Sequence, residues 1–86
     1  MLHQILTIEE VSPFSIRLRF NTGESKTIDL KKRLMSWSMS EGSRFKDLLN
    51  PDYFKTVELN SDLGTIVWDN GIDFCPDTLY SWAGKE

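Results

Sequence analysis

The stretch SIRLRFNTGESKTIDL, residues 15 to 30, constrains the fold more strongly than any other part of the chain. Its first six residues alternate apolar side chains with arginines, the period of two expected of a strand with one buried and one solvated face. Gly23 can adopt the positive φ that a tight turn requires, and SKTIDL returns with Ile28 and Leu30 on one side. The stretch therefore predicts an antiparallel β-hairpin.

Shorter signals on both sides of this hairpin predict strands early and late in the chain, with helices between them. The strands are predicted over residues 3–11, 54–59, 65–69 and 72–74, and the helices over 30–35, 44–50 and 77–83. Asp29, Ser43 and Asp77 are placed to cap the three helices. Residues 36–43 are predicted to form a loop anchored by Trp37 and Met39.

This order predicts an α+β fold, a small single domain over residues 1–86. We expect a mainly antiparallel sheet of β-hairpins with two or three short helices packed on one face. One cysteine excludes a disulfide framework and a cysteine-based zinc site. No stretch approaches the roughly 20 apolar residues of a membrane-spanning helix, and the first residues lack the features of a secretory signal. We therefore expect a cytoplasmic globular protein.

Charge is distributed unevenly along the chain. Residues 1–55 carry nine Lys or Arg against seven Asp or Glu, a net charge of +2, whereas residues 56–86 carry one against six, a net charge of −5. Because the acidic last third would repel a polyanion, nucleic acid is not expected as a direct ligand, and a basic protein surface is expected instead. An ordinary mixed surface is the alternative interpretation.

The pair Asn70-Gly71 predicts a two-residue hairpin turn. In that register Val67 pairs with Phe74 on one face. Trp68 then opposes Asp73 on the other face, where the carboxylate can accept a hydrogen bond from the indole N–H. We expect this hairpin to be mainly structural.

The sequence lacks the usual arrangements of catalytic and metal-binding residues. Asp69, Asp73 and Asp77 are spaced by four, but a four-residue step along a strand spans about 13 Å, too far for one cation to bridge. His3 and Cys75, the only imidazole and the only thiol, lie near opposite ends of the chain, and Cys75 is expected to be a buried small hydrophobic residue. There is no glycine-rich phosphate loop. We therefore expect no enzymatic activity, no cofactor and no metal.

Five short motifs lie between residues 20 and 80, within a family-like region that covers about residues 3–80. They are F-x-x-G at 20–23, Ile28-Asp29-Leu30, Asn50-Pro51-x-Tyr53-Phe54, Ile66-Val67-Trp68-x-Asn70-Gly71-x-Asp73 and Pro76-Asp77-x-Leu79-Tyr80. Together they resemble the bacterial domain of unknown function family 2442. The resemblance implies a small cytoplasmic α+β domain without established activity.

Some relatives in that family continue into a helix-turn-helix DNA-binding domain, and others look like partners in paired genes, an arrangement similar to toxin-antitoxin modules. This chain has Asp69 where relatives often have proline, and it ends at Glu86, so we expect no DNA-binding extension. These two differences from the relatives weigh against a transcription factor and leave the paired-partner arrangement open.

These observations predict a non-enzymatic protein-interaction module, antitoxin-like or a regulatory partner of a small basic protein. The candidate partner-binding residues are Trp37, Trp68, Asp69, Asp73, Tyr80 and Trp82. The alternative is a nucleic-acid-linked regulator that uses a basic cluster. That cluster consists of Lys31, Lys32 and Arg33.

Overall fold

The computed structural model describes residues 3–39 and 42–83, which form two antiparallel sheets and several short helices. The strands of this part are β1 (Ile5–Ser12), β2 (Ser15–Phe20), β3 (Ser25–Asp29), β4 (Glu58–Asn60) and β5 (Thr65–Val67). Its helices are α1 (Lys31–Trp37), α2 (Phe45–Leu48), α3 (Pro51–Phe54) and α4 (Pro76–Ala83). The first sheet has the order β1-β2-β3, and β4 pairs with β5. The predicted α+β fold is confirmed.

The hairpin of β2 and β3 forms as its alternation predicts. Ile16 lies opposite Ile28 in the sheet, and both side chains are buried. Gly23 has a φ of +90° in the turn, a conformation that costs glycine little. The arginines of β2 point to the solvated face, so the core side of this sheet is fixed by the sequence period.

Strand β1 contains two β-bulges, which the sequence did not predict. Its pairing with β2 shifts by one residue between Ile5 and Thr7 and again between Ile8 and Glu10. Each bulge adds a residue to β1, so apolar side chains three apart in the sequence can face the core. The inserted Glu9 lies on the solvated face, where Arg17 Nε and Arg19 Nε donate to its two carboxylate oxygens, each at 3.2 Å.

The short helices begin where polar side chains accept backbone N–H groups. Asp29 Oδ1 accepts the N–H of Lys31 at 2.9 Å, and Ser43 Oγ accepts the N–H of Phe45 at 3.2 Å. Asn50 caps α3, with Pro51 as the first residue of that helix. Asn50-Pro51 therefore starts a helix as well as ending one, and the strand predicted over residues 54–59 was wrong except at its end.

The hairpin after β5 has a register one residue away from the predicted one. Val67 lies opposite Asp73, and the N–H of Trp68 donates to the carbonyl of Ile72 at 2.9 Å. The loop therefore has three residues, 69–71, and Gly71 has a φ of +92°. A shift of one residue exchanges the two faces of a strand. The predicted pairs of Val67 with Phe74 and of Trp68 with Asp73 were wrong.

In the observed register Trp68 belongs to the core. It is only 2% exposed, and its indole N–H donates to the carbonyl of Phe54 at 3.1 Å rather than to Asp73, which is exposed. The core draws on both sheets and on α4. Its buried members include Ile16, Leu18, Phe20, Ile28, Leu34, Leu48, Phe54, Ile66, Ile72, Phe74 and Leu79.

Three smaller predictions also require correction. Met39 is 85% exposed, so it anchors nothing, whereas Trp37 ends α1 and packs against the core. Cys75 is exposed and not buried. Asp77 lies inside α4, where it accepts hydrogen bonds from His3. Ser40 and Glu41, part of the predicted loop, lie outside the described residues. Within residues 3–39 and 42–83, no helix has the length and apolar character needed to cross a bilayer.

Candidate partner-binding groove

Three helices bring half-buried aromatic side chains together at one surface. Trp37 at the end of α1 lies 4.9 Å from Phe45 of α2 and 5.8 Å from Trp82 of α4, measured between ring centroids. Phe74 lies 5.9 Å from both tryptophans and is almost fully buried. We call Trp37, Phe45, Phe74 and Trp82 the aromatic cluster. Two predicted anchors, Trp37 and Trp82, are therefore neighbours in space although 45 residues separate them in sequence.

An open groove of about 500 Å³ lies beside the aromatic cluster. We call it the aromatic groove. Its lining residues are Ser36, Trp37, Ser43, Arg44, Phe45 and Ile72, together with Gly42. Trp37 and Phe45 supply aromatic surface, and Ile72 is a core residue that reaches the groove. The described lining residues therefore offer apolar surface beside the charged Arg44.

The three-residue loop 69–71 fixes the position of Arg44 at the groove. Arg44 Nη1 donates to the carbonyl of Asn70 at 3.2 Å, and Asn70 Nδ2 donates to the carbonyl of Arg44, also at 3.2 Å. The same Asn70 amide donates to Asp47 Oδ2 at 3.1 Å. Asn70 is therefore a structural link between the hairpin and α2, as well as a turn residue.

One residue of the predicted basic cluster, Arg33, contacts the aromatic cluster. The Arg33 guanidinium lies 4.2 Å from the centre of the Trp82 ring, close enough for a cation-π interaction. Residues four apart on a helix share a face, so Lys32 lies one turn before Ser36 and Arg33 one turn before Trp37. The tryptophans and the basic cluster are separate candidates in the sequence, and the fold brings Arg33 and Trp82 together.

The predicted acidic positions lie in other surroundings. Asp69 accepts a hydrogen bond from the Tyr53 hydroxyl, and this bond raises the pKa of Tyr53. Asp73 is exposed opposite Val67. Among the described residues, no three His, Cys, Asp or Glu side chains converge into a metal-binding group.

Tyr80 belongs to a second cluster, which joins the start of the chain to α4. The His3 ring stacks on Tyr80 with the centroids 4.0 Å apart. Asp77 Oδ1 accepts the backbone N–H of His3 at 2.7 Å and the Nδ1 proton at 2.6 Å. The backbone N–H contributes most to lowering the pKa of Asp77, and the His3 side chain adds to it.

The Tyr80 hydroxyl extends this second cluster to the β2–β3 turn. It donates to Glu24 Oε1 at 2.5 Å, which raises the pKa of Tyr80 and lowers the pKa of Glu24. Lys26 Nζ lies 4.7 Å from the centre of the Tyr80 ring and 3.6 Å from Glu24 Oε2. No local sequence pattern could have indicated this cluster, because His3 and Asp77 are 74 residues apart.

The fold and the groove define a small antiparallel α+β domain with an aromatic surface and no recognised catalytic motif. The chain belongs to the family described as Protein of unknown function (DUF2442), whose model matches residues 7–85. The resemblance found in the sequence motifs is thus confirmed. Among curated proteins, none matches the chain.

The fold also occurs in a solved structure. The crystal structure of a Nitrosomonas europaea protein named "Putative DNA Binding Protein NE0471" superposes on this chain with a TM-score of 0.79 at 22% sequence identity. The match covers 99% of this chain and 51% of that protein, so this chain spans about half the length of its structural neighbour. At this identity the likeness shows the fold alone.

Proposed function

We propose that this domain is a non-enzymatic protein-interaction module that binds its partner through the aromatic groove. The observation that carries the proposal is the open groove of about 500 Å³ lined by half-buried Trp37 and Phe45. Aromatic residues, tryptophan above all, supply much of the binding energy at protein interfaces. The Trp82 ring packs 5.8 Å from the Trp37 ring, measured between centroids, and belongs to the same aromatic cluster.

The contacts of the other candidate residues support placing the partner at this groove. Trp68 is core, so a partner could reach it only if the hairpin opened. Asp69 is engaged with Tyr53, and Tyr80 is engaged with His3 and Glu24. The contacts that these three residues make within the chain explain their presence without a partner.

An antitoxin-like or regulatory pairing is the biological role that we propose. A chain of 86 residues buries a smaller share of its unfolded surface than a larger domain does, so we expect its own stability to be modest. A partner that binds only the folded state adds its binding free energy to that stability. Pairing with a second small protein would therefore both cover the groove and stabilise the domain.

Site-specific crosslinking in the source organism tests this proposal. A photoreactive amino acid replaces Ser36 in the groove, and a matched control carries it at Lys55, an exposed position after α3. We expect one protein to be captured from position 36 and not from position 55. The captured protein, purified separately, should bind the wild-type chain and raise its melting temperature. Identical capture from both positions, or no binding by the purified protein, would refute the proposal.

A nucleic-acid-linked regulator is the second candidate function. It is supported by the Arg33 guanidinium over the Trp82 ring, because single strands bind where cationic and aromatic side chains combine. The Nitrosomonas europaea neighbour, described by name as a DNA-binding protein, also motivates it. Binding of this kind weakens steeply as salt rises. Titration with duplex DNA, single-stranded DNA and RNA at low salt tests it, and the absence of any binding would eliminate it.

A further inference from the structure

We infer that the aromatic groove takes an acidic peptide segment of the partner, which inserts an apolar side chain against Trp37 and Phe45 and sets a carboxylate against Arg44. This inference rests on the proposed function and adds the chemistry of the segment. It differs from the basic partner that net charge alone suggests. The reason is the local composition of the groove.

The apolar part of the groove suits a side chain better than a nucleobase. The Trp37 and Phe45 rings are inclined by 49° to each other, so they do not form parallel plates. A flat base can lie parallel to only one of these two inclined rings, whereas an aliphatic side chain can contact the outer surface of both. Ile72 adds aliphatic surface. The volume falls within the range of about 300–1,000 Å³ typical of binding sites for small ligands.

The charge at the groove is positive. Arg44 is the charged residue among the described lining residues. Helix α1, KKRLMSW, which supplies Ser36 and Trp37 to the groove, has three basic residues and no acidic one. Asp47 on α2 accepts a hydrogen bond from Asn70 and does not line the groove. Carboxylates of a partner would therefore gain charge-assisted hydrogen bonds and a complementary field here.

The charge of the whole chain favours a short acidic segment over a polyanion. The net charge is −3, and residues 56–86 account for −5. A nucleic acid long enough to leave the groove would meet that excess of negative charge, whereas a peptide with a few carboxylates would meet only the local basic residues. The groove therefore attracts a short acidic peptide, whereas the net negative charge of the chain repels a long polyanion.

Selection from a random peptide library tests the inference directly. The full chain is the bait, and selected peptides are then measured in solution by fluorescence anisotropy. We expect the selected sequences to share an aliphatic or aromatic residue flanked by Asp or Glu. Arg44→Gln should weaken their binding about tenfold, as expected when a charge-assisted hydrogen bond is lost. Lys55→Gln makes the same change in charge away from the groove and should leave the affinity unchanged.

A second variant blocks the groove without removing a packed ring. Ser36 is exposed and lines the groove, so Ser36→Trp should fill it and abolish peptide binding while the circular dichroism spectrum stays that of the wild type. If the selected peptides are basic or neutral and Ser36→Trp abolishes their binding, the inference of an acidic segment is wrong and the proposed function still stands. If none of the selected peptides loses affinity for the Ser36→Trp variant, the result would count against both the inference and the proposed function. A 12-nucleotide single strand that binds the groove more tightly than any peptide would overturn the inference in favour of nucleic acid.

Discussion

The indole N–H of Trp68 donates to the backbone carbonyl of Phe54 at 3.1 Å, with the two rings 5.6 Å apart inside the core. Trp68→Phe keeps an aromatic ring but removes this donor. Leaving a buried carbonyl without its partner should cost about 1–3 kcal/mol of unfolding free energy. Urea unfolding measures the loss. Trp37→Phe, at the surface, is the matched control and should change stability much less; equal losses in the two variants would contradict the assignment of Trp68 to the core.

Asp77→Asn should remove a pH-dependent part of the stability. The folded-state pKa of Asp77 is lowered from its ordinary 3.8 by the backbone N–H and side chain of His3. A lowered pKa stabilises the fold above the unfolded value, and this stabilisation is lost as pH falls through the folded value. The difference in unfolding free energy between wild type and Asp77→Asn should therefore be constant above about pH 5 and shrink below pH 4. A difference that grows on acidification would contradict the prediction.

The two tyrosines should each ionise above the ordinary tyrosine pKa of 10.0, and each should respond to a different carboxylate. Glu24→Gln should lower the pKa of Tyr80, and Asp69→Asn should lower that of Tyr53, because each substitution removes an accepting carboxylate. The raised folded-state pKa means that both bonds stabilise the fold below pH 10 and are lost above it. Alkaline titration of the phenolate absorbance checks this, and each variant serves as the control for the other.

Gly23→Ala and Gly71→Ala should destabilise the fold to a similar extent and differ in their effect on binding. Both glycines have φ near +90°, where a Cβ costs about 1–2 kcal/mol. A Cβ at Gly23 would have open space, but at Gly71 it would lie 2.9 Å from Arg44 Nη1. The Gly71 variant should therefore move the arginine and weaken peptide binding to the groove, while the Gly23 variant should not. Equal affinities would show that Arg44 does not contribute.

Cys75 should react with a thiol reagent such as a maleimide in the native protein, because its side chain is exposed at the start of α4. One equivalent of label per chain is expected without denaturant. A rate that rises only at denaturant concentrations that unfold the protein would contradict the exposed position. Mass spectrometry of the intact chain provides the measurement.

The period-two alternation of apolar residues predicted a strand correctly where the alternation is unbroken. The β2–β3 hairpin was predicted because Ile16, Leu18 and Phe20 alternate with arginines and because Gly23 suits the turn. Strand β1 was predicted only coarsely, since its two bulges replace the period of two by steps of three. Bulges respond to packing between strands and leave no local signature in this sequence.

The register of the late hairpin could have been predicted from the parity of its apolar residues. Ile66, Trp68, Ile72 and Phe74 are all even-numbered, and they share the buried face only if Trp68 pairs with Ile72. That pairing requires a three-residue loop. Asn-Gly favours a two-residue turn, and the predicted register follows that preference. In the structure, burial of the four apolar side chains on one face determines the register instead.

The candidate groove was only half visible in the sequence. Trp37, Trp82 and the basic cluster were each identified as separate candidates. Their convergence depends on α4 packing back toward α1, a long-range contact that no short pattern encodes. Phe45 was assigned to the buried face of its helix, but it is half-buried and lines the groove.

The two bulges of β1 also bear on how this protein can assemble. A bulge interrupts the regular spacing of backbone N–H and C=O groups along an edge strand, and charged residues such as Glu9 and Glu10 add repulsion there. Such an edge is a poor template for a strand from another molecule. Intermolecular sheet extension, the common route from small β-rich domains to fibrils, is therefore disfavoured at the β1 edge.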